Sequence, residues 1–296
     1  MRNVKVAAIQ MQMTSIVSEN IEKAKSMVIE AAGNGAKIIL LPELFERQYF
    51  CQERNYDYYS FAKPVDENDA VIEFSKLAKE YKVVLPISIY ERDQNSLFNT
   101  VVIIDADGTI LGKYRKTHIP DDHYYQEKFY FTPGDTGFKV WETQYGKIGV
   151  GICWDQWFPE CARAMALMGA ELLLYPTAIG SEPILDVDSS GHWRRVMQGH
   201  AGANLMPVIA ANRIGVEIVE PSNDNGGQKS ELNFYGSSFI ADNTGAIIAA
   251  ASRDKEEILY AEFDLDAMDS DRLSWGIFRD RRPEMYKVIG SPIGEV

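Results

Sequence analysis

Short apolar runs alternate with amphipathic stretches over the first part of the chain. Val4–Gln10, Lys37–Leu41 and Val83–Tyr90 are mostly apolar and rich in β-branched residues, which predicts buried strands. Between them, apolar residues recur at helical spacing over Val17–Ala32 and Ala70–Tyr81. This order predicts βαβ units that place parallel strands side by side.

The later pattern adds hairpins to these units. Three pairs of strand-like runs are each joined by a short turn that contains glycine. The pairs are Thr100–Ile104 with Thr109–Tyr114, Val140–Glu142 with Lys147–Cys153, and Ser237–Ala241 with Ala246–Ala251. Helices are also predicted near Pro159–Gly169 and Trp193–Asn204, and strands at Leu172–Pro176 and Val208–Asn212. The fold class is therefore α/β with mixed sheets.

The pattern contains no linker and no low-complexity tract. We therefore expect residues 1–296 to form a single domain. The polar stretch Glu220–Glu231 is predicted to be a surface loop, and the chain from about residue 265 is predicted to be an irregular C-terminal arm.

Charge and composition narrow the function classes. The net charge of −13 argues against a nucleic-acid partner and would help to attract a small cationic molecule. No apolar run approaches the roughly 20 residues that span a bilayer, so no membrane partner is expected. The first residues enter a predicted strand without a signal-peptide core, and the three cysteines are too few for a disulfide scaffold. A cytoplasmic protein is expected.

Three residues of complementary chemistry follow predicted strand ends, where ligands gather in α/β sheets. Glu43 could take a proton, Cys153 could attack a carbonyl-type carbon, and Lys116 could stabilise the resulting oxyanion. A helix is predicted to begin soon after Cys153, and its amide groups would favour a thiolate there. Each residue alone also has an ordinary structural explanation, as a loop carboxylate, a solvated amine or a core thiol.

Three segments resemble the signature blocks of the nitrilase/carbon–nitrogen hydrolase superfamily. They are Leu41–Phe45, Gly112–His118 and Gly149–Asp155, which occur in the family's order. The resemblance covers nearly the whole chain and implies a four-layer α-β-β-α sandwich. It also implies a homodimer formed through the helical layer, often with further assembly into a higher homo-oligomer.

The resemblance implies a role for each of four residues. Glu43 would be the base, Lys116 the oxyanion partner and Cys153 the nucleophile. A second glutamate often lies downstream of the lysine, and Glu127 is the matching position, where it would support Lys116 and the substrate nitrogen. An exposed loop carboxylate is the alternative interpretation of Glu127.

The residues after Cys153 bear on the substrate. No cation follows until Arg163, so a substrate carboxylate would lack a bidentate partner. The loop after Leu172–Pro176 leaves a strand end and carries Glu182, which we expect to bind a distal ammonium group; Asp186 is the second choice.

Aromatic residues near the predicted nucleophile suggest an apolar channel for a methylene chain. Trp154, Trp157 and Tyr124 are the candidates for its walls. His118 is also expected near the pocket, because it follows the lysine motif directly.

Two segments, Cys153–Glu160 and Tyr175–Pro183, resemble the branch of the family that acts on N-carbamoylputrescine. The implied reaction is hydrolysis to putrescine, carbon dioxide and ammonia through a carbamoyl-thioester on Cys153, a step of polyamine biosynthesis. One alternative is an amidase for another linear amide, N-carbamoyl amine or nitrile. A non-catalytic binding or regulatory protein of the same fold is an alternative of another class.

No metal or cofactor is expected. His118, Asp121, Asp122, His123 and Glu127 are close in sequence but lack the His-Glu-x-x-His spacing or cysteine pairs of zinc sites. The glycines before Cys153 do not have dinucleotide-binding spacing, and there is no Walker-type lysine motif.

Overall fold

The computed structural model describes residues 1–181 and 186–295. The strands are β1 Asn3–Gln12, β2 Ile38–Leu40, β3 Leu85–Asp93, β4 Ser96–Ile104, β5 Ile110–Arg115, β6 Val140–Thr143, β7 Gly146–Val150, β8 Leu172–Pro176, β9 Val208–Ala211, β10 Arg213–Val219, β11 Ser230–Tyr235, β12 Phe239–Ala241, β13 Ile247–Ala250 and β14 Glu257–Asp264. The α-helices are α1 Val17–Gly33, α2 Asp69–Tyr81, α3 Pro159–Leu167, α4 Ser190–Asn204 and α5 Leu265–Trp275.

The strands form two layers. In the first, β1 pairs antiparallel with β14 and parallel with β2 and β10, and β10 pairs with β11. The antiparallel β3–β4–β5 sheet extends this layer through a parallel bridge between Ile38 and Val84. The second layer has the order β13-β12-β9-β8-β7-β6, with β7, β8 and β9 parallel. The sheets are therefore mixed, as the hairpin signals predict.

Side-chain alternation along the strands creates the four layers, because successive residues point to opposite faces of a sheet. In β1, Val4, Val6 and Ala8 belong to the core between the two sheets. Ala7 and Ile9 instead pack against α1 and α2. Strands β8 and β9 alternate in the same way between the inter-sheet core and helices α3 and α4. The predicted α-β-β-α sandwich is confirmed.

All of the predicted helices and strands are found. Among the α-helices and strands of the described residues, four were not predicted: β10, β11, β14 and α5. The expected irregular arm is therefore wrong over its first part, where α5 forms. Asp264 caps this helix by accepting the N–H groups of Asp266 and Ala267, and Gly276 ends it at a φ of +75°. After α5, the described chain continues as turns and two short 3₁₀ helices, Pro283–Met285 and Lys287–Gly290, with mostly exposed side chains.

The three cysteines, Cys51, Cys153 and Cys161, are all buried and unpaired. Among the helices that the structure describes, none combines the length and the apolar character needed to cross a bilayer.

Gly134 fixes the segment that carries Lys116. Its N–H donates to the carbonyl of Lys116 at 2.8 Å, and a Cβ at this position would lie only 2.1 Å from the carbonyl oxygen of Arg115. We expect Gly134→Ala to lower the free energy of unfolding by about 1–3 kcal/mol, since main-chain atoms must move. Urea denaturation measures this change. Gly33→Ala is the control, because no atom lies within 4 Å of its added Cβ, and equal stability of both variants would contradict the packing argument.

Candidate active site

Each of the three predicted catalytic side chains lies close after the end of a strand. Glu43 lies just after β2, Lys116 follows β5 directly, and Cys153 lies just after β7. All three are buried, and Cys153 lines one cavity together with Glu127. Residues more than 100 positions apart in the chain are thus gathered at one edge of the sandwich.

Lys116 bridges two carboxylates. Its Nζ lies 2.9 Å from Oε1 of Glu43 and 2.7 Å from Oε2 of Glu127. The amide of Asn99 also donates to Oε1 of Glu43, at 2.7 Å. Oε2 of Glu43 is buried and has no hydrogen-bond partner among the residues that the structure describes. This second oxygen is therefore available to take a proton.

The charges of this cluster stabilise one another. Burial lowers the pKa of Lys116, but the negative charges of Glu127 and Glu43 outweigh burial and hold that pKa well above its usual value. Burial raises the pKa of Glu127 to about 7, against the opposing effect of the Lys116 charge. The Tyr49 hydroxyl donates to Oε1 of Glu127 at 2.7 Å. Lys116 thus remains an ammonium ion, whereas Glu127 can change its charge near neutral pH.

Cys153 occupies an uncommon backbone conformation. It begins a short 3₁₀ turn, Cys153–Trp157, with a φ of +42°, a region that side chains other than glycine rarely adopt. Burial raises the pKa of its thiol well above the usual value, the charge of Glu43 adds to this, and the charge of Lys116 opposes it. Burial thus opposes the thiolate that the helix amides are expected to favour, and the sulfur needs a base when it attacks.

A cavity of about 130 Å³ contains the sulfur. The described residues that line it are Pro120, Asp121, Asp122, Tyr125, Glu127, Cys153, Trp154, Ala178 and Ile179. Trp154 thus has the predicted place beside the nucleophile. Over residues 1–181 and 186–295, no three His, Cys, Asp or Glu side chains form a group that could hold a metal ion.

The other predicted channel residues lie outside this lining. Tyr124 lines a neighbouring outer groove of about 460 Å³, which shares Asp121 and Asp122 with the cavity. The Trp157 ring lies 6.2 Å from Trp154 and 4.9 Å from His192, so it packs behind the cavity wall.

The two acidic candidates for an ammonium contact also differ in position. Asp186 lines a separate groove with Ser181 and Arg253. Glu182 lies outside the residues that the structure describes.

His118 does not face the cavity. Its Nδ1 lies 2.7 Å from Oδ1 of Asp155, and its ring stacks on Phe158 with 3.6 Å between centroids. The sequence predicts His118 near the pocket, but it is not among the described residues that line the cavity. Its ring is held between a carboxylate and an aromatic side chain, because the chain turns after Lys116 towards the Cys153 segment.

Comparison with known proteins identifies the family. The family model described as carbon-nitrogen hydrolase matches residues 5–273. The chain belongs to the carbon–nitrogen hydrolase family. The enzyme is 57% identical over 293 residues to the N-carbamoylputrescine amidase of Oryza sativa subsp. japonica, covering 99% of this chain and 96% of the relative. It is 55% identical over 290 residues to a citrullinase of Francisella tularensis, covering 98% and 99%.

A solved structure supports the same assignment. The crystal structure of a carbon-nitrogen hydrolase from Helicobacter pylori G27 superposes with a TM-score of 0.89 at 38% identity, covering 98% of this chain and 99% of that chain. The fold class and the general activity, hydrolysis of an amide bond, are thus shown for this chain.

Sequence reasoning missed a buried ion pair that supports this hydrolase site. The guanidinium of Arg213 donates to the carbonyl oxygens of Glu43 at 2.7 Å and Leu44 at 3.1 Å, and to Oε1 of Glu217 at 3.0 Å. Glu217 in turn accepts the N–H of Tyr49. The pair therefore anchors the backbone of Glu43 and of the tyrosine that binds Glu127. The position of Arg213, directly after a predicted strand, was the signal available in the sequence.

The pKa of Glu127 gives a pH test. Tyr49→Phe removes a hydrogen bond that stabilises the ionised carboxylate, so the pKa of Glu127 rises from about 7. If turnover requires ionised Glu127, the fall of kcat on the acid side of the pH profile should begin at a higher pH in this variant. The shift should be about one to two units, since a hydrogen bond to a charged group contributes roughly 1.5–3 kcal/mol. The pH profile of kcat measures it.

Tyr130→Phe is the matched control, because its buried hydroxyl donates to the carbonyl of Glu53 and not to Glu127. The same acid limb in Tyr49→Phe and in the unchanged enzyme would contradict the role of this bond.

Proposed function

We propose that this enzyme hydrolyses N-carbamoylputrescine to putrescine, carbon dioxide and ammonia. The charge of the cavity carries the proposal. Asp121 and Asp122 line the cavity that holds Cys153, and none of its described lining residues is an arginine or a lysine. A substrate with a ureido group at one end and an ammonium group at the other fits this charge. The name of the rice relative supports the same substrate.

The first half of the reaction forms a thioester. Oε2 of Glu43 takes the thiol proton as the Cys153 sulfur attacks the ureido carbon, and the Lys116 ammonium stabilises the oxyanion. The tetrahedral intermediate then breaks its bond to the terminal nitrogen. That nitrogen leaves as ammonia with the proton from Glu43, and a carbamoyl-thioester remains on Cys153.

The second half consumes water. Glu43 takes a proton from a water molecule, which attacks the thioester carbon, and the proton passes to the leaving sulfur. The released carbamate loses carbon dioxide and gives the diamine. Glu127 supports both halves, since its contact with Lys116 keeps the ammonium charged and in place.

Hydrolysis of citrulline is the second candidate. Citrulline carries the same ureido group, but its other end has a carboxylate beside the ammonium. Within the cavity this carboxylate would face Asp121 and Asp122. The outer groove that shares these aspartates also contains Arg54 and Lys229, which could bind a carboxylate there. The citrullinase of Francisella tularensis is a relative of this chain, as reported above.

We also propose a homodimer or a higher homo-oligomer. Large apolar side chains remain exposed on the helical layer: Leu167 and Met168 at the end of α3 are 47% and 54% exposed, and Leu273 and Trp275 on α5 are 71% and 72% exposed. A second copy could cover such a surface. The mass in solution, measured by light scattering, tests this.

Two further expectations stand as proposals. A single domain over residues 1–296 is supported by the inter-sheet core, which contains residues from Val4 to Met268. A cytoplasmic location is supported by the three unpaired cysteines.

A substrate panel tests the specificity. We expect kcat/KM for N-carbamoylputrescine to exceed that for citrulline and for N-carbamoyl-β-alanine by about fivefold or more, because one unfavourable contact between charges costs about 1 kcal/mol in water. Ammonia release is the measurement. Asp122→Asn should raise the KM for N-carbamoylputrescine about threefold to tenfold. Glu182→Gln should raise it as well if Glu182 binds the ammonium group.

Asp269→Asn is the control for charge, since Asp269 lies on α5 and is exposed. Citrulline turnover equal to or faster than that of N-carbamoylputrescine would make citrulline hydrolysis the function. Preference for N-carbamoyl-β-alanine would contradict the argument from cavity charge.

A trapped intermediate tests the mechanism. Acid quenching during turnover, followed by peptide mass spectrometry, should show a carbamoyl adduct on the peptide that contains Cys153. Cys153→Ala should show no adduct and no turnover, with an unchanged melting temperature. Cys51→Ala is the control, because Cys51 is also buried and does not line the cavity. Turnover that persists in Cys153→Ala would eliminate the thioester route.

A further inference from the structure

Asp155 is a fully buried carboxylate two residues after the nucleophile, and it accepts four hydrogen bonds. Oδ2 accepts the N–H of Ile152 at 2.9 Å and the hydroxyl of Tyr114 at 2.7 Å. Oδ1 accepts the N–H of His118 at 3.0 Å and contacts its Nδ1 at 2.7 Å. Both oxygens are therefore fully used, and neither is free for substrate.

These bonds join two segments that are distant in the chain. Ile152 and Asp155 flank Cys153 in the turn after β7, whereas Tyr114 and His118 lie two residues before and two residues after Lys116. The carboxylate thus forms hydrogen bonds with residues on both sides of Lys116. Since bonds to an ionised acceptor are roughly twice as strong as neutral ones, this junction is stiff.

Packing holds the donors of this junction in place. Tyr114 is fully buried in the inter-sheet core, and its hydroxyl also accepts the N–H of Thr117 at 3.3 Å. The His118 ring lies almost parallel to Phe158, with 5° between the planes. Phe158 directly precedes α3, so the histidine is fixed between the junction and the start of that helix.

We propose that Asp155 is a positioning residue that sets the spacing between the Cys153 sulfur and the Lys116 ammonium, and that His118 acts through it. The proposal rests on the proposed roles of these two groups as nucleophile and oxyanion partner, and it is independent of the substrate's distal end. A displaced ammonium would stabilise the oxyanion less, while the sulfur would remain reactive.

Two reactions of Cys153 separate these effects. Hydrolysis of a ureido group develops an oxyanion and needs Lys116 in place. Alkylation by iodoacetamide displaces iodide at a saturated carbon and develops no oxyanion on the attacked carbon. A change that moves only the lysine segment should therefore slow hydrolysis and spare alkylation.

Tyr114→Phe and His118→Ala are the primary variants, because each removes one side-chain donor on the lysine side and leaves the bonds from the N–H groups of Ile152 and residue 118 intact. We expect kcat to fall about tenfold in each variant and about 100-fold in the double variant, as for small misplacements of reacting groups. KM and the alkylation rate of Cys153, followed by peptide mass spectrometry, should stay within about threefold. Asp155→Asn should reduce kcat at least as much as the double variant.

Rescue and a matched control separate positioning from stability. His118→Asn keeps a donor near the place of Nδ1 and should recover most of the kcat lost in His118→Ala. Asp264→Asn makes the same chemical change in a carboxylate that caps α5, and it should leave kcat unchanged.

Three results would overturn the proposal. In Tyr114→Phe, the rates of hydrolysis and of alkylation would fall in parallel. In His118→Ala, KM would rise without a change in kcat; or the Asp155→Asn enzyme would keep half or more of the original kcat. The unchanged enzyme tests the proposed function separately. If it hydrolyses citrulline and not N-carbamoylputrescine, the substrate proposal fails and the ratios are measured with citrulline.

Discussion

An ammonium group with no exposure to water is the constraint on which the site depends. A buried charge is destabilising by several kcal/mol unless it is paired and hydrogen-bonded, and Lys116 meets this requirement through Glu43 and Glu127. Removing Lys116 would leave two buried carboxylates without a cation to pair with. The groups proposed to perform the chemistry therefore also stabilise the folded state, so the active arrangement and the folded arrangement are one structure.

Supports from several distant segments hold this cluster. Asn99 on β4 binds the Glu43 side chain, and its carbonyl accepts the N–H of Lys116. Arg213 on β10 binds the carbonyl of Glu43. The strand register thus positions the polar partners of the cluster as well as the apolar core. The site therefore needs the complete sandwich and cannot form from one βαβ unit.

The sequence predicts the periodic elements and the catalytic candidates, because both depend on local pattern. The hydrogen-bond partners of those candidates lie far away in the chain, as Asp155 does for His118, so a local sequence pattern does not predict them. Tertiary burial also raises the pKa of the Cys153 thiol, whereas local helix geometry alone predicts a lowered pKa. Helix α5 has cap signals at Asp264 and Gly276 but few regularly spaced apolar residues, so the sequence pattern predicts an irregular arm there.

The raised pKa of the Cys153 thiol has a consequence outside turnover. Peroxides and many electrophiles react with the ionised form of cysteine, and a neutral sulfur is oxidised slowly to sulfenic acid. An enzyme that ionises its sulfur only during attack keeps it as a slowly oxidised neutral thiol between catalytic cycles. Such an enzyme should outlast, under oxidative stress, a relative whose cysteine is permanently ionised.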